Sequence, residues 1–123
     1  MRPPWKSAFV TSGVIGVDPV TGDLGATPEQ QFALAYQNLA ALMKQAGVGT
    51  DGIGLVNVFI PGGDYRQYIT PGWLALFPDE DDRPARKTNH VRLPDGVFVQ
   101  LQAVAAAGLQ VTPLVGAEIP PGL

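Results

Sequence analysis

The sequence predicts a single α+β domain, a mixed β-sheet with two helices packed on one face. Three observations lead there. Apolar, β-branched runs alternate with amphipathic stretches in the order β-β-α-β-α-β-β. The 123 residues are enough to bury a core and too few for two ordinary domains. Charged residues make up only 15% of the chain against 46% hydrophobic, below the ~25% charge of an average soluble protein. Two helices on one face leave the other face bare, and a chain this poor in charge has trouble covering it. Both facts point to an oligomer.

The elements follow in order. Ala8 to Val17 is β-branched and punctuated by Gly13 and Gly16, which suits a strand interrupted by a bend or bulge. Asp18-Pro19-Val20-Thr21-Gly22-Asp23 carries two breakers and predicts a hairpin turn. Thr27-Pro28-Glu29-Gln30 has the pattern of a helix start, with a hydroxyl at the N-cap, proline next and Gln at the third position. Phe32, Ala35, Tyr36, Leu39, Leu42, Met43 and Ala46 then recur at helical spacing before Gly47, which predicts a helix over 28–46. Ile53 to Ile60 is a second buried strand, ended by Pro61-Gly62-Gly63. A second helix is expected from Asp64, as its cap, to Phe77, broken at Pro71-Gly72. Pro78 to Pro84 is an acidic loop, Lys87 to Leu93 alternates like a strand, and Pro94-Asp95-Gly96 is a tight turn. Val97 to Ala105 is the last strand. The domain core is therefore about 8–105, and 106–123, with Pro113, Pro120 and Pro121, reads as a tail laid on the surface or on a neighbour.

Composition excludes several functions. The net charge is −3 and the isoelectric point about 4.8, so there is no basic footprint for a phosphate backbone. The absence of cysteine removes disulfides, a thiolate nucleophile and a Cys-based zinc site. The single histidine, His90, cannot build a multi-His metal site within one chain. The acidic stretch Asp79–Asp82 reads as a solvated loop rather than a metal cage, and no metal or cofactor is expected. The start, MRPPWKSAFV, lacks the long apolar run of a secretory signal. No stretch approaches the ~20 apolar residues of a spanning helix, so the expectation is a cytoplasmic protein.

Several short pieces, taken together and in order, resemble the RidA/YjgF family of reactive-intermediate deaminases, once labelled endoribonuclease L-PSP or translation-inhibitor proteins. They are Phe9-Val10-Thr11-Ser12-Gly13, Asp18 to Asp23, Gln37-Asn38-Leu39 with Ala46-Gly47, and Val56-Asn57-Val58-Phe59-Ile60. Further on come Arg83-Pro84-Ala85-Arg86, Arg92-Leu93-Pro94 and Val99 to Ala105. The resemblance implies a chorismate-mutase-like α+β domain that assembles as a homotrimer, with a pocket at each subunit interface. It also implies hydrolysis of enamine and imine intermediates to 2-oxo acids and ammonia. That chemistry needs a cation for the substrate carboxylate and a positioned water. By the resemblance the cation is Arg86, whose planar fork fits a carboxylate in two-pronged fashion. Backbone at Ser12, Gly13 and Val14 would line the pocket.

The departures from the family pattern bear on activity. Deaminase members carry a Glu on the last strand where this chain has Gln100, and a neutral amide orients a water without accepting its proton. The family's Cys after the arginine is Thr88, and an Asn on the second helix aligns with Thr70. The aromatic loop ahead of the first strand is reduced to Pro3-Pro4-Trp5-Lys6.

Blander readings stand beside these. Without the family match, Arg86 would be a surface residue pairing with Asp79–Asp82. His90 shares a strand face with Arg86 if both lie on one strand, yet a lone histidine there is more often a satisfied polar residue. Gln100 and Gln102 form a polar row toward an interface or water. Trp73 and Phe77 read as packing rather than a substrate-stacking pair. The leading expectation is imine hydrolysis in a trimer. The alternative is a non-catalytic trimer that binds small carboxylates, and a nuclease role ranks last.

Overall fold

The computed structural model describes residues 7–107, and its element order is the one expected. It runs β1 (Ser7–Val10), β2 (Val14–Ile15), α1 (Pro28–Gln45), β3 (Ile53–Ile60), α2 (Ile69–Leu76), β4 (Ala85–His90) and β5 (Gln100–Ala107). Short 3-10 helices occupy Thr50–Gly52 and Gly63–Tyr68. Pro3 to Lys6 and the stretch from 108 onward lie outside the described residues. Residues 106 and 107, assigned above to the tail, belong to β5.

The ends of α1 follow from its local chemistry. Thr27 Oγ1 accepts from the Gln30 backbone N–H at 3.2 Å, and Pro28 occupies the first helical position, where no N–H is needed. The Gln30 side chain reaches back to accept from the Ala26 N–H at 2.9 Å, one residue beyond the N-cap N–H that a capping box would use. The helix stops at Gln45, one residue before the expected end, with Ala46 as its cap and Gly47 at φ 74°. Phe32, Ala35, Tyr36, Leu39 and Met43 are buried. Leu42 and Ala46, placed on the same stripe by their spacing, are exposed.

The sheet is ordered β1-β5-β3-β4, with β2 also paired to β5. It is mixed: β3 runs parallel to β4 and antiparallel to β5. The parallel pair requires a crossover, which the segment containing α2 supplies. Both helices pack on one face, over Val56, Val58, Ile60, Leu101, Ala103 and Ala105.

Three elements differ from expectation. The second helical segment is a 3-10 turn over Gly63–Tyr68 that becomes α2 at Ile69, so the break falls before Pro71. Pro71 sits in the first turn of α2, where its missing N–H leaves no bond unmade. Asp64 caps neither piece: Gly62 precedes the 3-10 turn and Tyr68 precedes α2, each without a side-chain capping bond. Gly72 is a close-approach position, since a Cβ there would strike the Tyr36 ring of α1. β4 starts at Ala85 and ends at His90 rather than spanning Lys87 to Leu93. Its partner β3 runs out at Ile60, whose carbonyl takes a last bond from Val91 N–H at 3.0 Å. β5 begins at Gln100 instead of Val97. The preceding residues are held by Gln31 of α1, a buried amide. It accepts from Phe98 N–H at 2.8 Å and donates to the Gly96 and Gly25 carbonyls at 2.7 and 3.0 Å.

Candidate functional site

Arg86 owes its position to the register of an edge strand. β3 and β4 pair Val56 with Arg86, Val58 with Thr88 and Ile60 with His90. The three β3 residues point into the core beneath the helices, so Arg86, Thr88 and His90 project on the helix side too. The shared face expected for Arg86 and His90 is thereby found. The Arg86 guanidinium carbon stands over the Trp73 ring of α2, 4.9 Å from its centroid. Trp73 is buried and packs against Phe77, centroids 4.7 Å apart and planes inclined by 57°. The packing reading of this pair therefore holds, and Trp73 is also the seat of Arg86. The blander reading gave Arg86 an acidic neighbour; the structure gives it an aromatic one.

Arg83, three residues earlier at the start of the motif, is committed to structure. Its Nε donates to the Phe77 carbonyl at 2.8 Å and its Nη2 to that of Pro78 at 3.5 Å. Both bonds tie down the C-terminal end of α2. At the other end, Tyr36 Oη donates to the Ile69 carbonyl at 3.0 Å. Burial pushes the Tyr36 phenol well above its ordinary ionisation range, with the Arg86 charge opposing that shift, so it stays a donor. Thr70 is exposed in the first turn of α2, and Thr88 is half-buried on β4.

Gln100 lies elsewhere. β3 and β5 pair Phe59 with Gln100 and Asn57 with Gln102, while Val58 and Val56 pair with the buried Leu101 and Ala103. Gln100 and Gln102 therefore face away from the helices, as a row, and Asn57 Nδ2 donates to Gln102 Oε1 at 3.3 Å. A bulge shapes the strand alongside. Thr11 grips Ala103 with both its backbone N–H and its Oγ1, each bond 2.9 Å. Val14 rejoins the ladder opposite Leu101. Ser12 and Gly13 together thus oppose Gln102 and swing out, exposed. A Cβ on Gly13 would collide with the Gln100 amide, so glycine is what admits that side chain. The Val14 side chain packs against the core, which leaves only its backbone for a ligand.

The residues singled out by sequence thus fall into two groups, one on each side of the sheet. Arg86 and Thr88 of β4 stand on the helix side, with Thr70 of α2. Ser12, Gly13, Val14 and Gln100 gather at the β2–β5 bulge, and Gln100 faces the open side. Among the described residues, no group of three or more His, Cys, Asp or Glu side chains is placed to hold a metal. No described helix is long and apolar enough to cross a membrane. The role of Trp73 was missed in sequence, because no spacing rule links it to an arginine beyond the Pro78–Pro84 loop.

A mixed sheet under two helices, with an arginine held on an aromatic at its edge, defines an α+β architecture. Within it, this chain belongs to the RidA/YjgF family. The family model described as endoribonuclease L-PSP matches residues 5–107. The chain is 30% identical over 101 residues to the 2-iminobutanoate/2-iminopropanoate deaminase of Salmonella typhimurium, covering 80% of this chain and 79% of that one. Escherichia coli TdcF with bound serine is similar in structure, with a TM-score of 0.75 at 30% identity over 84% of this chain and 83% of that one. The Escherichia coli YjgF gene product has a TM-score of 0.72 at 29% identity, covering 80% of each.

Proposed function

We propose that this chain hydrolyses small imino or enamino acids, of the 2-iminobutanoate and 2-aminoacrylate type, to 2-oxo acids and ammonia without a cofactor. The working form is a cytoplasmic homotrimer of chorismate-mutase-like subunits, with the pocket between two copies. The observation that carries the reading is the Arg86 guanidinium, exposed and seated on Trp73, at the family's carboxylate-binding position. Relatives named for this deamination support it.

The division of the site supports a shared pocket. Arg86 and Gln100 lie on opposite sides of one sheet, so a ligand touching both takes one from each of two copies. The bare face, with Val10 opposite Val104, is the apolar surface such an assembly would cover.

In that pocket Arg86 grips the carboxylate through two parallel N–H bonds and fixes the imine carbon. Water adds to that carbon, the resulting carbinolamine expels ammonia, and the water oxygen remains as the carbonyl of the oxo acid. Gln100 Oε1 accepts a hydrogen bond from the attacking water and orients it. As an amide it takes no proton, and loss of a general base typically costs about 10²–10⁴-fold in rate. A reactive imine tolerates that loss. The same substitution favours a second reading, a trimer that binds small carboxylates without turnover.

The test is ammonia release from freshly generated 2-iminobutanoate, wild type against Arg86→Ala. Loss of a two-pronged ionic contact predicts a fall of at least about 10²-fold. An unchanged rate overturns the mechanism. Sedimentation in the same buffer is expected to give three times the 13.0 kDa chain mass, and a monomer would separate the two halves of the pocket.

A further inference from the structure

We propose that Trp73 is a positioning residue for Arg86: its buried indole carries the guanidinium over the ring face and keeps the N–H fork turned outward to meet a ligand carboxylate. The inference rests on the reading of Arg86 as the carboxylate clamp and adds what orients it.

An arginine on an exposed edge strand samples many rotamers, and ordering them on binding weakens affinity. A guanidinium over an aromatic face is attracted by the ring quadrupole. It is thereby restricted in advance while its in-plane donors stay free for a planar acceptor. The Trp73 ring lies 4.9 Å from the Arg86 guanidinium carbon, and the seat itself is rigid. Trp73 is 6% exposed, Phe77 packs at 4.7 Å behind it, and Tyr36 Oη anchors α2 through the Ile69 carbonyl at 3.0 Å. Gly72 completes the anchor by admitting the Tyr36 ring against the helix. Arg83 shows the contrasting use, its Nε and Nη2 already committed to main-chain carbonyls. Trp73 leaves the Arg86 fork available where a carbonyl would consume it.

The experiment uses the full chain and 2-oxobutanoate as probe, with dissociation constants measured by calorimetry. Trp73→Leu is expected to weaken binding about 5-fold, the worth of one partly exposed cation–π contact, and Trp73→Tyr to restore it to within about 2-fold. In an Arg86→Lys background, where no planar fork remains to be oriented, Trp73→Leu is expected to change affinity less than about 2-fold. Should Trp73→Leu not fold, Trp73→Met, which fills the site without a ring face, replaces it in the same cycle. The ring-current shift of the Arg86 Nε–H resonance reports the seat without any ligand and should vanish with the indole. Equal losses in the two backgrounds assign Trp73 a purely structural role and overturn the proposal. Unchanged affinity in Trp73→Leu, with binding abolished by Arg86→Ala, overturns it and leaves the carboxylate clamp standing. Undiminished binding in Arg86→Ala removes the clamp, and the positioning role falls with it.

Discussion

On β5, Leu101, Ala103 and Ala105 face the helices and are buried, while Gln100, Gln102 and Val104 face the other way and stay accessible. β3 does the same, with Val56 and Val58 inward and Asn57 and Phe59 outward. On these two strands the covered face is apolar and is closed by α1 and α2 of the same chain. The open face mixes amides with Val10, Phe59 and Val104, and nothing in the described part of the chain covers it. Alternate residues of the same strands thus serve two purposes: one set holds the domain together, the other meets whatever lies outside it. The candidate site follows this division, with Arg86 at the rim of the covered side and Gln100 on the open one.

The sharpest way to break that contrast is to truncate two neighbours. Leu101→Ala is expected to lower stability by about 2–5 kcal/mol, because it opens a cavity under α1. Gln100→Ala, one residue away, is expected to change it by less than about 1 kcal/mol. Urea denaturation at matched protein concentration measures both, and similar losses would erase the distinction between the faces. Next in size is Gln100→Glu, which places a proton acceptor on the open side. Up to about 10²-fold faster ammonia release is expected, with the gain disappearing as pH falls through about 4.3, where a carboxylate protonates. No gain, with 2-oxobutanoate binding retained, favours the reading without turnover.

The smallest effect concerns the covered side. Tyr36→Phe removes the bond to the Ile69 carbonyl and should cost about 1 kcal/mol at neutral pH. The phenol also sets an alkaline limit. Below pH 10.0, the ordinary value for tyrosine, folded and unfolded chains both hold the proton and stability is unaffected. Above it the unfolded chain releases the proton first, so stability drops by up to about 1.4 kcal/mol per pH unit. Tyr36→Phe should flatten that decline in denaturation midpoints measured from pH 9 to 11.

Much of this was legible beforehand. Thr27, Pro28 and Gly47 mark α1 to within one residue, and β3 has the bounds its apolar run implies. The bulge at Ser12-Gly13 and the turn at Pro94-Asp95-Gly96, where Val97 N–H meets the Pro94 carbonyl at 3.0 Å, were signalled by their glycines. The misjudged positions depended on distant partners. β5 starts late because Gln31, far away in the chain, takes the hydrogen bonds of the residues before it. β4 stops early because β3 does. α2 tolerates Pro71 because of where the 3-10 turn hands over to the helix.

The amino-acid sequence by itself determined which segments are helix or strand, which family the motifs belong to, and which arginine stands at the family's motif position. Caps, turn glycines and periodicity act over a few residues, so their consequences are written locally. Only the tertiary structure decided that Arg86 rests on Trp73, that Gln100 lies beneath Gly13, and that the two stand on opposite sides of the sheet. Those relations depend on strand register and on helix–sheet contacts between segments far apart in the chain, where the physics is that of packing rather than of local backbone preference.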